Sequence, residues 1–147
     1  MNQPMRVLIA DRDTAFSKGL QNFLNQQEDI NVIDVVQDGQ GAVTASKEAL
    51  PDIVLMDLRL PVLDSIRAIQ SILAQNEFIK ILVMSSIAND RYAVEAVKVG
   101  ASGYVEKKGE ITYSTIVKAI RQVANGEVLL SPGLASGILQ EFYRLSG

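Results

Sequence analysis

The sequence predicts an α/β protein built on a doubly wound, five-stranded parallel sheet. Five short apolar runs of strand length alternate with five segments in which apolar residues recur at helical spacing. The run at residues 53–56 is apolar at every position, as expected for a strand that helices cover on both faces. Because this alternation needs crossover helices between parallel strands, we expect a three-layer sandwich.

The first half of the chain supplies three strands and two helices. Asp13 or Thr14 is the expected N-cap of the first helix, whose apolar stripe is Phe16, Leu20, Phe23 and Leu24. A turn at residues 38–41 leads into the second helix, which Leu50-Pro51 ends. The predicted strands are Met5–Ala10, Ile30–Val36 and residues 52–57, and the second helix covers residues 42–49.

The second half repeats the pattern. Residues 62–65 offer an N-cap for the third helix, Asn89 or Asp90 caps the fourth, and Gly100 suits the C-terminal turn of the fourth. The inward faces are predicted to be Ile66, Ile69, Ile72 and Leu73 in the third helix, and Ala93, Ala96 and Val97 in the fourth. The remaining predicted elements are strands at residues 79–84 and 102–106 and a helix at Ile111–Ala124.

Residues 126–147 lie outside the five-unit pattern. Ser131-Pro132 is typical of a helix start. The apolar residues that follow at helical spacing are Leu134, Ile138, Leu139, Phe142 and Leu145. This stripe can pack back on the sheet or pair with a second copy of the chain, and the sequence leaves both alternatives open.

Composition excludes several kinds of chemistry. The 147 residues, 48% apolar and 21% charged, fit one soluble domain, and no apolar run approaches the roughly 20 residues that cross a bilayer. The chain has no cysteine and no histidine, which excludes disulfides, thiolate metal sites and imidazole catalysis. A net charge of −3 gives no basic footprint for nucleic acid. With no signal-peptide pattern, we expect a cytoplasmic protein without a membrane partner.

Polar residues follow four of the predicted strands. Asp11, Asp57, Ser85 and Lys107 stand at these ends, and Arg12 and Asp13 come directly after Asp11. Because the carboxyl ends of parallel strands open into one crevice, these side chains are expected to converge. Neighbouring carboxylates attract a hard cation such as Mg²⁺, and a lysine with a hydroxyl suits a phosphoryl group. Asp57 could then act as a nucleophile towards phosphorus.

These residues resemble the receiver domains of two-component response regulators over about residues 5–124. The resemblance rests on Asp11, on residues 52–61 (Asp-Ile-Val-Leu-Met-Asp-Leu-Arg-Leu-Pro), on Asp64, on Ser85 and on residues 100–107 (Gly-Ala-Ser-Gly-Tyr-Val-Glu-Lys). Lys18-Gly19-Leu20, the Ala-Ser-Gly-Tyr run and residues 126–132 look most like the LuxR/NarL-type subgroup. The resemblance implies strand order 2-1-3-4-5 and a receiver at residues 5–125. Residues 126–147 would be a linker with an additional helix, and the DNA-binding domain usual in that subgroup is not in this chain.

The family's residue roles transfer to matching positions as implications of the resemblance. Asp57 matches the acceptor of a phosphoryl group from a histidine kinase, and Ser85 and Lys107 match the residues that bind that group. Ser85 and Tyr104 match the switch pair that remodels the face formed by the fourth helix, fifth strand and fifth helix. Mg²⁺ would be held by Asp11, Asp57 and the backbone carbonyl of Arg59, with Asp13 as a further candidate. DNA would be contacted only through an output domain, and a homodimer is a further implied state.

Arg12 departs from the family pattern, which has a second acid at this position as a direct metal ligand. Arginine cannot ligate Mg²⁺ and adds a fixed positive charge. Three outcomes are open. Arg12 turns to solvent while Asp13 supplies an oxygen, or its guanidinium lies between Asp11 and Asp57, or the site no longer accepts phosphate. The third outcome would make the domain a phosphorylation-independent receiver that acts as a protein-interaction module.

An enzyme alternative comes from the Asp11-Arg12-Asp13 run. It is similar to the Asp-x-Asp nucleophile motif of haloacid-dehalogenase-type phosphatases. In that family a threonine is expected two residues beyond the second aspartate, where this chain has Ala15, and an acidic motif is expected after the lysine. Only scattered glutamates follow Lys107, so two Mg²⁺ ligands would be missing and the receiver remains the favoured interpretation.

Overall fold

The predicted sheet is present, with five parallel strands in the order β2-β1-β3-β4-β5. The computed structural model describes residues 3–88, 90–109, 111–129 and 132–146. The strands are β1 (Met5–Ala10), β2 (Ile30–Val36), β3 (Ile53–Asp57), β4 (Lys80–Ser85) and β5 (Gly103–Glu106). The helices are α1 (Thr14–Asn25), α2 (Gly39–Ala49), α3 (Ser65–Gln75), α4 (Tyr92–Lys98), α5 (Ile111–Ala124) and α6 (Pro132–Ser146).

The core is divided between the two faces of the sheet. Alternate residues of each strand point to opposite faces, so Val54 and Met56 pack under α2, α3 and α4, whereas Ile53 and Leu55 pack under α1 and α5. All four side chains are fully buried. The consecutive apolar positions of β3 are therefore explained by the helices on both sides, as the sequence predicted.

Two helix starts differ from the prediction. Helix α2 begins at Gly39, earlier than residue 42, because Asp38 caps it and accepts a hydrogen bond from the Gly41 backbone N–H at 2.6 Å. Helix α4 begins at Tyr92, and its N-cap is Arg91 rather than Asp90. Asp90 is buried, and its Oδ1 accepts from the backbone N–H of Tyr92, the first residue of α4, at 3.0 Å. The alternative cap, Asn89, lies outside the described residues.

The tail packs back on the domain at two places. Leu129 forms a parallel bridge with Gly103 at the free edge of β5, and its carbonyl accepts a hydrogen bond from the Tyr104 backbone N–H at 3.0 Å. On α6, Leu134 is buried in the core under α4, and Glu141 pairs with Lys98 of α4 at 3.1 Å. Of the predicted stripe, Leu139, Phe142 and Leu145 remain exposed. Within the described ranges no helix is long and apolar enough to span a membrane.

Candidate functional site

Lys107 joins the ends of β1 and β3 at the carboxyl edge of the sheet. Its Nζ lies 2.7 Å from Asp11 Oδ2 and 2.9 Å from Asp57 Oδ2. Asp11 follows β1 directly, Asp57 is the last residue of β3, and Lys107 follows β5. Because these three strands end at the same edge, three residues far apart in sequence meet in one crevice, as the sequence predicted.

The two carboxylates are buried and share one ammonium group. Asp11 is fully buried, and burial raises its pKa although the hydrogen bond from Lys107 opposes the rise. Burial alone would lower the pKa of Lys107, but its hydrogen bonds to Asp11 and Asp57 outweigh burial and raise that pKa. Lys107 also lies 4.3 Å from the centre of the Phe16 ring, a cation–π contact that covers it from the α1 side. The ammonium is therefore charged and fixed at neutral pH.

Asp57 is held by the loop that follows β3. Its Oδ1 accepts a hydrogen bond from the Arg59 backbone N–H at 2.6 Å, and its carbonyl accepts one from the Ser65 hydroxyl at 2.7 Å. The residue is 7% exposed, and both of its carboxylate oxygens accept hydrogen bonds, Oδ1 from Arg59 and Oδ2 from Lys107. A carboxylate fixed in this way is pre-oriented for attack on an electrophile that enters the crevice.

Ser85 ends β4 beside Asp57, but its hydroxyl is turned to the β4–α4 loop. It donates to Asp90 Oδ2 at 2.8 Å and accepts from the Ile87 backbone N–H at 3.1 Å. Its backbone is next to that of the lysine, since the Ser85 carbonyl accepts from the Lys107 backbone N–H at 2.8 Å. The structure thus brings Ser85 to the correct edge with its side chain engaged elsewhere.

Tyr104 is connected to Ser85 through one residue. Its ring is buried in β5, and its hydroxyl donates to the Ile87 carbonyl at 2.8 Å. Burial raises the pKa of Tyr104, so the phenol stays protonated and keeps this hydrogen bond at neutral pH. Ile87 therefore contacts both side chains: its N–H donates to the Ser85 hydroxyl and its carbonyl accepts from the Tyr104 hydroxyl. A movement of either side chain acts on the backbone of this residue.

Arg12 and Asp13 are both outside the crevice. Arg12 is exposed, and within the described residues it forms no ion pair with Asp11 or Asp57. Asp13 is the N-cap of α1, and its side chain accepts from the Phe16 backbone N–H at 3.0 Å. Arg12 therefore turns towards solvent, as in the first outcome, but the Asp13 carboxylate caps α1 instead of supplying an oxygen. Lys107 lies between the two carboxylates of Asp11 and Asp57.

Oxygen ligands for a magnesium ion are present in part. In the described portion of the chain no group of three or more acidic side chains is arranged to hold a metal ion. Asp11 and Asp57 face one another across Lys107, and Mg²⁺ commonly uses one or two carboxylates with waters and a phosphate. The pair therefore fits such an ion, whereas the carboxylate of Asp13 is directed to the α1 backbone.

Two residues near the site were missed as site residues by the sequence reasoning. Asp90 was predicted as a helix cap, yet it is 4% exposed and accepts hydrogen bonds from Ser85 and from the Arg59 guanidinium. Arg59 was expected to contribute only its carbonyl. The one sequence signal for Asp90 was its position, five residues after Ser85, the hydroxyl residue at the end of a predicted strand.

Comparison with known proteins identifies the family of this chain. The family model for the response regulator receiver domain matches residues 7–121. The transcriptional regulatory protein LnrK of Bacillus subtilis (strain 168) is 34% identical over 140 residues, which cover 95% of this chain and 63% of LnrK. DegU of Brevibacillus brevis, also a transcriptional regulatory protein, is 27% identical over 96% of this chain and 59% of its own length. The chain thus spans about three fifths of these two relatives.

Solved structures similar to this chain are also response regulators. A two-component response regulator of the LuxR family from Aurantimonas sp. SI85-9A1 has a TM-score of 0.83 at 28% identity, covering 96% of this chain and 99% of that one. The receiver domain of the putative response regulator NarL from Mycobacterium tuberculosis has a TM-score of 0.77 at 27% identity, covering 86% and 100%. The chain belongs to the response regulator receiver domain family.

Within that family, its relatives and structural neighbours are of the LuxR/NarL type, as the sequence motifs predicted. The first strand ends with an atypical pair, Asp11 followed by Arg12. The relatives named above are described as transcriptional regulators, so the comparisons do not favour the phosphatase alternative.

Proposed function

We propose that the chain accepts a phosphoryl group on Asp57 from a histidine kinase and relays that event to the α4-β5-α5 face. The observation that carries the proposal is the Lys107 ammonium held between Asp11 and Asp57 at 2.7 and 2.9 Å. A phosphoryl group on Asp57 would add oxygens next to this fixed positive charge, which stabilises the charge that develops on them.

The chemical step needs only groups in the crevice and the donor. An Asp57 carboxylate oxygen attacks phosphorus, the phosphorus–nitrogen bond of the phosphohistidine breaks, and imidazole leaves with the bonding electrons. Asp57 is oriented for this attack by the Arg59 N–H on Oδ1 and by Lys107 on Oδ2. Asp11, Asp57 and the Arg59 carbonyl would hold Mg²⁺, which supplies charge neutralisation when bound.

Signal transfer would follow from the connection between Ser85 and Tyr104. If the Ser85 hydroxyl turns to a phosphoryl oxygen on Asp57, the hydrogen bond from the Ile87 N–H to that hydroxyl is strained or lost. The Ile87 carbonyl, which holds the Tyr104 hydroxyl, moves with it. The face concerned carries a groove of about 570 Å³ between β5 and α5, lined by Tyr104, Glu106, Lys108, Thr112, Lys118 and Leu129 among others. Such a change is a shift between two packings.

Phosphorylation is tested with acetyl phosphate, Mg²⁺ and intact mass spectrometry. We expect one added phosphoryl group on the wild-type chain, none on Asp57→Asn, and full labelling of the control Asp34→Asn, whose exposed carboxylate lies on β2. Chelation of Mg²⁺ should slow the reaction. An unlabelled wild-type chain would contradict the proposal and favour the phosphorylation-independent module, for which the present contacts give no specific support.

The proposal extends to the partners of this chain. The named relatives are transcriptional regulatory proteins longer than this chain, so we propose that residues 126–147 connect the receiver to an output domain that contacts DNA. We also propose a homodimer that uses the exposed apolar side chains of α6, Leu139, Phe142 and Leu145. A monomeric mass in light scattering at high protein concentration would rule the homodimer out.

A further inference from the structure

The Ser85 hydroxyl is already committed to an acceptor other than the phosphoryl site. A serine hydroxyl carries one proton, and in Ser85 that proton is donated to Asp90 Oδ2 at 2.8 Å. The lone-pair side of the same oxygen accepts from the Ile87 backbone N–H at 3.1 Å. Ser85 can therefore donate to a phosphoryl oxygen on Asp57 only after it gives up Asp90.

Asp90 is a fixed acceptor. It is 4% exposed, and a buried carboxylate is tolerated only when other groups satisfy it. The Arg59 Nη2 lies 3.0 Å from Oδ1 and 2.9 Å from Oδ2, and Oδ1 also accepts from the Tyr92 backbone N–H at 3.0 Å. The Arg59 guanidinium lies 5.0 Å from the centre of the Tyr92 ring, which holds it against the start of α4.

Arg59 connects the phosphoryl-acceptor loop to the β4–α4 loop. Its backbone N–H donates to Asp57 Oδ1 at 2.6 Å, and its side chain reaches across to Asp90, 31 positions later in the chain. A change at Asp57 is therefore two contacts away from the carboxylate that holds Ser85. The roles assigned above to Asp57, Ser85, Lys107 and Tyr104 do not include this contact between Arg59 and Asp90.

We propose that Asp90 competes with the phosphoryl group for the Ser85 hydroxyl, and that Arg59 positions Asp90 for this competition. The inference rests on the proposed function, since it concerns the group that Asp57 would carry. Asp90 and Arg59 are positioning residues: they act through Ser85 and set how strongly the unphosphorylated packing is favoured. Weakening Asp90 as an acceptor should release the hydroxyl and tighten binding of a phosphoryl mimic.

The test uses Asp90→Asn in the full 147-residue chain. The probe is beryllofluoride with Mg²⁺, and the readout is its dissociation constant from amide chemical shifts. Asparagine keeps the shape of the side chain and removes its charge, so one charge-assisted hydrogen bond to Ser85 is weakened. We expect about tenfold tighter binding, the usual effect of one such bond. Asp29→Asn is the matched control, because it breaks another two-contact arginine pair, to Arg121, and should leave binding unchanged.

The same comparison in a Ser85→Ala background separates competition from a structural role. Without the hydroxyl, Asp90→Asn should have no effect on beryllofluoride binding, whereas a general loosening of the loop would persist. Arg59→Lys provides a second variant that keeps the backbone and the charge but loses the planar guanidinium. It should tighten binding about two- to threefold, and it is the variant to use if Asp90→Asn does not fold.

The outcomes separate the two proposals. If the wild-type chain binds beryllofluoride and Asp90→Asn leaves that affinity unchanged or weakens it, the competition is overturned and the phosphoryl-acceptor function still stands. The same holds if Asp90→Asn tightens binding equally in the Ser85→Ala background. Binding by the variant alone would support the competition. If neither chain binds beryllofluoride or takes up phosphoryl from acetyl phosphate, the proposed function fails and this inference fails with it.

Discussion

Asp11 carries a buried charge that the folded protein holds at a cost. Because burial raises its pKa, the folded state gains stability as the pH falls through that pKa and loses it again as the pH rises. Asp11→Asn should therefore raise the free energy of unfolding at pH 7, by roughly 0.5–2 kcal/mol if it behaves as a typical single stabilising substitution. Urea denaturation from pH 7 down to pH 4 should show this advantage shrinking towards the acidic end. A variant less stable than wild type at pH 7 would contradict the prediction.

Arg12 is exposed and lies directly after Asp11, so it adds a positive charge close to the carboxylates that would hold a metal ion. Arg12→Asp replaces a positive charge beside Asp11 by a carboxylate, so we expect Mg²⁺ to bind about tenfold or more tightly. Calorimetric titration measures the change. Lys47→Asp, an equal charge change in the last turn of α2, is the control and should have a far smaller effect. Equal effects of the two variants would show that the site senses only net charge.

Part of the site could be predicted residue by residue. Asp11, Asp57 and Lys107 stand directly at strand ends, and the common direction of parallel strands brings such ends to one edge of the sheet. The contact between Arg59 and Asp90 could not be predicted, because it joins two loops whose paths depend on local geometry. The direction of Arg12 was left open for the same reason, since a long side chain after a strand has many rotamers.

At the scale of elements, a close contact between the start of α2 and the β3–α3 loop explains why α2 starts at a glycine. A Cβ on Gly39 would lie 1.9 Å from the Leu63 carbonyl oxygen, in the loop between β3 and α3. Gly39→Ala should therefore lower the free energy of unfolding by about 2 kcal/mol or more, because backbone has to move. Thermal and urea unfolding measure this.

The matched variant is Gly41→Ala in the same first turn of α2. Its Cβ would meet Asp38 Oδ1 and Val36 Cβ at 3.3 Å, a crowding that small shifts relieve. Alanine also favours helix over glycine by about 1 kcal/mol, so this variant should be neutral or stabilising. A similar loss for both variants would mean that glycine flexibility, and not the approach of Leu63, decides the cost at Gly39.

The bounds of helices and strands were predicted well where they depend only on which residues are buried. Met5–Ala10, Ile30–Val36 and Ile111–Ala124 have the predicted bounds. The other strands differ by one residue at one end or, for β4, at both ends, because apolar runs mark the residues that the helices and the sheet bury. The N-cap of α4 is Arg91, one residue after the predicted Asp90. The Asp90 carboxylate still accepts from the Tyr92 backbone N–H, and it also accepts from Ser85 and Arg59, contacts that the capping pattern could not predict.

At the scale of the whole molecule, α6 is divided between the domain core and the surface. Leu134 is 2% exposed beneath α4, Glu141 pairs with Lys98 at 3.1 Å, and a Cβ on Gly137 would lie 3.3 Å from a Val94 methyl group. Leu139, five residues beyond Leu134, is 54% exposed. The sequence could not divide this stripe, because one apolar spacing serves both packing on the sheet and pairing with a second copy.

This division predicts different costs for two leucines of one helix. Leu134→Ala should lower the free energy of unfolding by about 2–4 kcal/mol, because it leaves a cavity in the core that β4, α4 and α6 share. Leu139→Ala should stay within about 0.5 kcal/mol of wild type at dilutions where the chain is monomeric. Urea unfolding of both variants measures the difference. Equal small losses would mean that α6 is a detached linker, whereas the predicted contrast requires α6 to unfold together with the sheet in one transition.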